Sequence, residues 1–319
     1  MPTSPARRTV CREEVRRIHA HTTPPNVAAA HRGRLAVVLG LVLALLVAEV
    51  TVALATGSLA LLSDAGHLAT DVVGLGLALG AVSFAASQLP TTRTSFGWYR
   101  LEILAALANA LLLLGVAIVV LVGVLQRWNA PHPIEPGPLL IIATVALAVN
   151  GLCAWLLRPG AEESLNLRGA RLEVLADAAG SIGVLVTAVV IHLTGWTRID
   201  SVMALLIVGW LLPRALRLGY QSLRVLLQHA PEHLDVDELV REVARLPGIT
   251  GVHDLHVWTL TSGMDVASLH VEVSDPDHQH EARHAVHGLV RERTGIEHVT
   301  VQVELHDDPT CCEDHPASW

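Results

Sequence analysis

Four side chains able to bind a metal interrupt stretches that are otherwise apolar. His67 and Asp71 lie four residues apart, and Glu173 and Asp177 repeat that spacing about a hundred residues later. On a helix, residues i and i+4 share one face. Two such pairs supply four ligands, the number a tetrahedral ion needs. One imidazole and three carboxylates suit zinc, cobalt or cadmium. A charge at the centre of a bilayer costs at least about 2.5–3.5 kcal/mol on insertion scales, so such groups point to function. The competing reading, a buried ion pair that glues helices, needs a basic partner, and none lies mid-span.

Other polar groups fall in or near the same stretches. Glu49 stands in the first span. Glu102 opens the third beside Arg100, where pairing with an arginine would account for it. Asp64 precedes His67 by one turn and is expected to orient its imidazole. His192 falls at an outer edge, and Asn109 and Asn150 suit hydrogen bonds between helices.

The elements that carry these residues follow from composition. The chain has 319 residues, 51% of them hydrophobic and 16% charged, and a mean hydropathy of +0.47. Soluble domains carry about a quarter charged residues, so the chain reads as a membrane protein. Six apolar stretches are long enough to cross a bilayer: Leu35–Thr56, Ser58–Ala85, Leu101–Leu125, Pro138–Leu157, Leu172–Leu193 and Ile199–Leu218. The chain lacks lysine. Arginine crowds the N-terminal arm and alternate connections, while only Arg127 and Arg198 mark the others, which predicts both termini in the cytoplasm.

From His229 onward the pattern changes. That part holds 18 Asp and Glu against 5 Arg, and 12 of the 18 histidines. Its acidity disfavours nucleic acid and suits cations. Asp235–Leu246 reads as a helix, Thr250–Leu260 and Asp265–Val273 as strands joined at Ser262–Gly263, His278–Thr294 as a helix and His298–Leu305 as a strand. The order αββαβ predicts a ferredoxin-like domain. The expected organisation is an arm over 1–34, a six-helix transmembrane bundle over 35–220, a cytoplasmic ferredoxin-like metal-binding domain over 229–309 and a tail over 310–319. His253 and His270 lie on the two hairpin strands and can meet. Strand alternation places His256 on the opposite face from His253. The run His278, His280, His284 and His287 reads as a solvated helix face, and Cys311, Cys312 and His315 as a tail able to capture metal. The four cysteines form no disulfide framework, which fits a reducing compartment. No secretory signal is evident.

Four segments in order, Ser58–Asp71, Phe96–Glu102, Arg168–Gly183 and Gly251–Gly263, resemble the cation diffusion facilitator family, and the likeness runs from about Leu35 to Pro309. The resemblance implies a homodimer in the plasma membrane that exports divalent metal, zinc with cadmium and cobalt, as a metal/proton antiporter working by alternating access. It implies that His67, Asp71, Glu173 and Asp177 form the transport site. It further implies that His253, His270, His306 and Asp308 form a cytoplasmic site where zinc is regulatory or bridges the dimer. Many zinc-transporting members carry His where this chain has Glu173, so this sequence looks more like the cobalt–zinc–cadmium resistance branch. The exchange takes the fully ionised site from −2 to −3 and is expected to loosen metal selectivity. The connections 88–99 and 158–168 lack the histidines that bind extra metal in some members. A membrane metalloenzyme is disfavoured by the absence of an HExxH motif. A metal-sensing receptor or a passive channel would differ from a transporter in carrying no coupled flux.

Overall fold

The computed structural model describes residues 32–88, 91–128, 133–161 and 165–305. His306, Asp308 and the Cys311, Cys312, His315 tail lie outside these residues, as does the arm before Arg32. Six long helices come first: α1 Arg32–Thr56, α2 Leu59–Ser87, α3 Arg100–Arg127, α4 Pro136–Ala161, α5 Leu165–Thr194 and α6 Arg198–Leu226. All six are long and apolar enough to cross a membrane. Helices are the expected solution there, because lipid offers no partner to backbone N–H and C=O groups.

The helices outrun the predicted spans. α5 begins at Leu165 instead of Leu172, and α6 continues to Leu226, two turns past the predicted Leu218. Hydropathy stops at the charged turns that hold Arg168 and Arg171, or Arg217 and Arg224, whereas the backbone needs a breaker. For α6 that breaker is Gln228, in a left-handed conformation at φ +58°.

Contacts divide the chain into two compact units. The first holds α1, the start of α2, α4, α5 and the start of α6. Val38, Cys153, Ala154, Leu157 and Val174 form an apolar core among α1, α4 and α5. Buried Asn150 of α4 donates to Ser181 Oγ of α5 at 3.4 Å, the kind of interhelical bond expected of it.

A buried carboxylate anchors the start of α2. Gly57 breaks the chain after α1 at φ +68°, a conformation that a residue with a Cβ adopts at a cost. Asp200, near the start of α6, then accepts Ser58 Oγ at 2.5 Å, Leu59 N at 2.7 Å and Ala60 N at 3.2 Å. Ser58 Oγ in turn accepts Leu61 N at 3.1 Å. The first N–H groups of a helix have no partner within it; here a second helix supplies one.

The second unit holds the rest of α2, α3, the rest of α6 and the C-terminal domain. In that domain α7, Val236–Val243, is capped by Asp235, whose side chain accepts Glu238 N. The predicted helix to Leu246 ends early. Arg245 and Leu246 make three-residue turns, because Pro247 disfavours helix in the residue before it. β1, Ile249–Thr261, pairs antiparallel with β2, Met264–Val273, and β2 pairs parallel with β3, His298–Leu305. A parallel pair needs a long crossover, which α8, Gln279–Thr294, provides. Leu239, Val243, Val257, Ala267, Leu269, Val271, Val286, Val290 and Ile296 form the core between the sheet and its helices.

Replacing Asp200 with alanine removes three hydrogen bonds to a buried carboxylate. We expect a loss of about 2–4 kcal/mol, read as a lower thermal unfolding midpoint of the purified protein in detergent, with Asp200→Asn falling between the two.

Candidate metal sites

α2 places His67 and Asp71 on one face, with His67 Nε2 3.4 Å from Asp71 Oδ2. His67 is buried, at 4% exposure. Its backbone carbonyl accepts Thr70 Oγ1 at 2.7 Å. Two glycines flank the pair and let α3 close in. A Cβ on Gly66 would lie 2.5 Å from Val116 Cγ1, and one on Gly74 would lie 2.5 Å from Asn109 Cγ. Asn109, expected to bridge helices, therefore packs against α2 beside the pair.

α5 carries Glu173, half-buried, and Asp177, buried. The Asp177 carbonyl accepts Ser181 Oγ at 3.0 Å. Asp64 is buried as well, and its carboxylate lies where a Cβ on Gly180 would go. The expected role beside His67 thus has a companion: Asp64 is a contact between α2 and α5. Glu49 of α1 is 1% exposed and lies within electrostatic reach of Asp64 and Asp177. His192 is exposed at the end of α5. Glu102 departs from expectation. Among the described residues its oxygens accept Thr261 Oγ1 at 2.6 Å and Ser262 Oγ at 2.7 Å, where an arginine partner was foreseen.

On the outer face of the sheet, β1 and β2 bring His253 opposite His270, with ring centroids 5.3 Å apart. β3 adds a residue that sequence reasoning missed. Glu304, at 7% exposure, places Oε2 3.2 Å from His253 Nε2 and Oε1 2.9 Å from His270 Nδ1. One ligand atom from each of the three falls within 4.8 Å of the others, close enough for one ion. Glu272, adjacent to Glu304 on the parallel ladder, comes within 3.6 Å of His253 Nδ1. A Cβ on Gly251 would stand 2.8 Å from Glu272 Oε2, so glycine leaves room for that carboxylate. Two carboxylates side by side repel, and a divalent cation among them would offset the repulsion. Alternation along β3 puts Glu304 on its polar face, but only the β2–β3 register brings it to the histidines.

His256 corrects the expectation drawn from alternation. His253 faces His270 and His256 faces Ser268, so three residues on β1 span two on β2. The extra residue is a β-bulge, with Asp254 left-handed at φ +50°. It reverses the parity of the strand, and His256 emerges on the same face as His253, exposed to solvent. His280 and His284 stack edge to face with centroids 4.5 Å apart, on an exposed stretch of α8.

The model of the cation efflux transmembrane domain matches residues 35–227, and that of the cation efflux protein cytoplasmic domain matches residues 231–306. This chain belongs to the cation diffusion facilitator family. Among curated relatives of this cation diffusion facilitator, the metal cation efflux system protein CzcD of Cupriavidus metallidurans is 40% identical over 90% of each chain. The zinc transporter ZitB of Escherichia coli is 39% identical over 90% of this chain and 91% of its own. The cadmium, cobalt and zinc/H(+)-K(+) antiporter of Bacillus subtilis is 34% identical over 81% of this chain and 85% of its own. A solved structure, the metal-bound C-terminal domain of the CzcD transporter from Cupriavidus metallidurans, is 32% identical, covering 23% of this chain and all of that one, with a TM-score of 0.21. The family is one of transporters, and its fold is the membrane bundle with a ferredoxin-like cytoplasmic domain described above.

In this cation diffusion facilitator, Glu304→Gln keeps the shape of the outer sheet face and removes one charge. We expect zinc affinity of the cytoplasmic cluster to fall about 10–100-fold, measured by competition with a fluorescent chelator on the purified full-length chain. His256→Ala, which takes away an exposed imidazole at the margin of the cluster, is expected to change it far less.

Proposed function

We propose that this chain exports zinc, and with it cadmium and cobalt, from the cytoplasm in exchange for protons. His67, Asp71, Glu173 and Asp177 act as the ligands of one transported ion. The observation that carries this reading is the pair of equal i, i+4 spacings on two apolar helices. α2 and α5 also touch at Asp64 and Gly180, each three residues from its own pair. The names of the relatives support the substrates and the antiport.

With the site open to the cytoplasm, deprotonated ligands take the ion. The helices then rearrange to face outward, and the higher proton activity there protonates the imidazole and carboxylates and displaces the metal. Metal and protons compete because ligands must lose protons to bind, and imidazole is the group whose ordinary pKa lies nearest neutrality. Glu173 makes the ligand set harder than one with two imidazoles, which widens the range of accepted metals. The protein works as a homodimer in the plasma membrane with both termini inside, in keeping with the arginine distribution. Zinc held by His253, His270 and Glu304, with His306 and Asp308 following β3, regulates transport by favouring one conformation over another.

Metal uptake into inverted vesicles tests the whole reading. Acidification of the vesicle interior is expected to accelerate uptake of zinc, cadmium and cobalt, and flux indifferent to the gradient would mark a passive channel. Asp71→Ala and Asp177→Ala are each expected to reduce uptake to background. Glu173→His is expected to narrow the metal range; an unchanged preference would contradict the role given to Glu173.

A further inference from the structure

α3 touches both the cytoplasmic sheet and the ligand-bearing stretch of α2. At its first turn each carboxylate oxygen of Glu102 accepts one hydroxyl from the β1–β2 hairpin, Thr261 at 2.6 Å and Ser262 at 2.7 Å. The turn lacks an ordinary cap, for Tyr99 is helical and makes no side-chain capping bond. A glutamate three residues into a helix commonly reaches back to close its own start. Here the hairpin tip occupies the carboxylate instead. Farther along, Asn109 and Val116 press on Gly74 and Gly66 of α2. Gly66 adjoins His67, and Gly74 follows Asp71 by three residues. Glu102, Asn109 and Val116 are seven residues apart, so they share one stripe of α3, with steps of about 10 Å.

The hairpin is continuous in the other direction. β1 and β2 run from the tip at Thr261–Met264 to the facing His253 and His270, roughly 20 Å of strand. Thr259 Oγ1 donates to Asp265 Oδ1 at 2.6 Å and ties the two strands near the tip. Gly263 turns the chain at φ +75°. A shift at the histidine cluster would thus reach Glu102 through paired strands, and a shift of α3 would meet α2 on both sides of His67 and Asp71.

We propose that Glu102, held by Thr261 and Ser262, is a positioning residue that couples the cytoplasmic cluster to the His67–Asp71 pair through α3. The latched hairpin fixes the end of α3 and so sets α2 in its metal-accepting arrangement. The inference rests on reading both clusters as metal sites.

The test uses the full-length chain in liposomes with zinc as the probe. Thr261→Val combined with Ser262→Ala removes both donors and keeps Glu102 and most of the bulk. Thr261→Ser combined with Ser262→Thr keeps both hydroxyls. We expect the hydroxyl-free variant to lose about fivefold or more of its zinc flux, as for a typical coupling between sites, and the swapped variant to keep most of it. Adding His253→Ala and His270→Ala, which lower flux on their own, is expected to lower it no further, because effects along one route do not add. Hydrogen exchange provides a second reading: zinc is expected to protect the first turn of α3 in the wild type and to leave it unprotected in the hydroxyl-free variant. Wild-type flux in the hydroxyl-free or the histidine variant, effects that multiply, or zinc protection without the hydroxyls would each overturn the latch. A wild type that moves no zinc would instead defeat the transport reading, and exchange alone would then decide the latch.

Discussion

The controlling constraint is the cost of keeping carboxylates and an imidazole inside helices that face lipid. The chain has no lysine to offer a countercharge. Glu49, Asp64, His67 and Asp177 are all buried. Such groups are costly there unless they pair with one another or take up a cation or protons. Metal and protons compete for such groups, since ligands must lose protons to bind a metal. The small residues around them answer the same demand. Gly66, Gly74 and Gly180 each stand where another helix or its side chain presses in.

Much of this was legible in the sequence, for reasons that differ from element to element. The six helices announce themselves because lipid demands long apolar runs, and His67, Asp71, Glu173 and Asp177 stand out because they violate those runs. α5 and α6 run past the apolar stretches because hydropathy reports where lipid ends, whereas a helix ends where its hydrogen bonds do. The strands of the cytoplasmic domain came within a residue or two of their observed limits, since alternation and the Ser262–Gly263 turn fix a hairpin locally.

What stayed hidden depends on register. Glu304 joins His253 and His270 only through a parallel pairing that no local pattern encodes. His256 was assigned to the wrong face because one extra residue at Asp254 inverts the side chains that follow it, as far as a second irregularity at Thr259–Thr261, and a bulge leaves no strong mark on sequence. Glu102 looked like half of a surface ion pair because Arg100 is near in sequence, while its partners are about 160 residues away. In each case the sequence showed a residue of the right chemistry, and its neighbour came from a distant part of the chain.

The carboxylate of Asp200 has a consequence for how the protein is made. It closes the first turn of α2 across 142 residues of chain. A ribosome adding about 5–20 residues per second needs on the order of 10 s to deliver it. Until then the start of α2 has, besides Ser58 Oγ on Leu61 N, only solvent to satisfy its exposed amides. The helix that bears His67 and Asp71 is therefore secured late, when the sixth span arrives, and a nascent chain halted before that span would hold the helix by a frayed end.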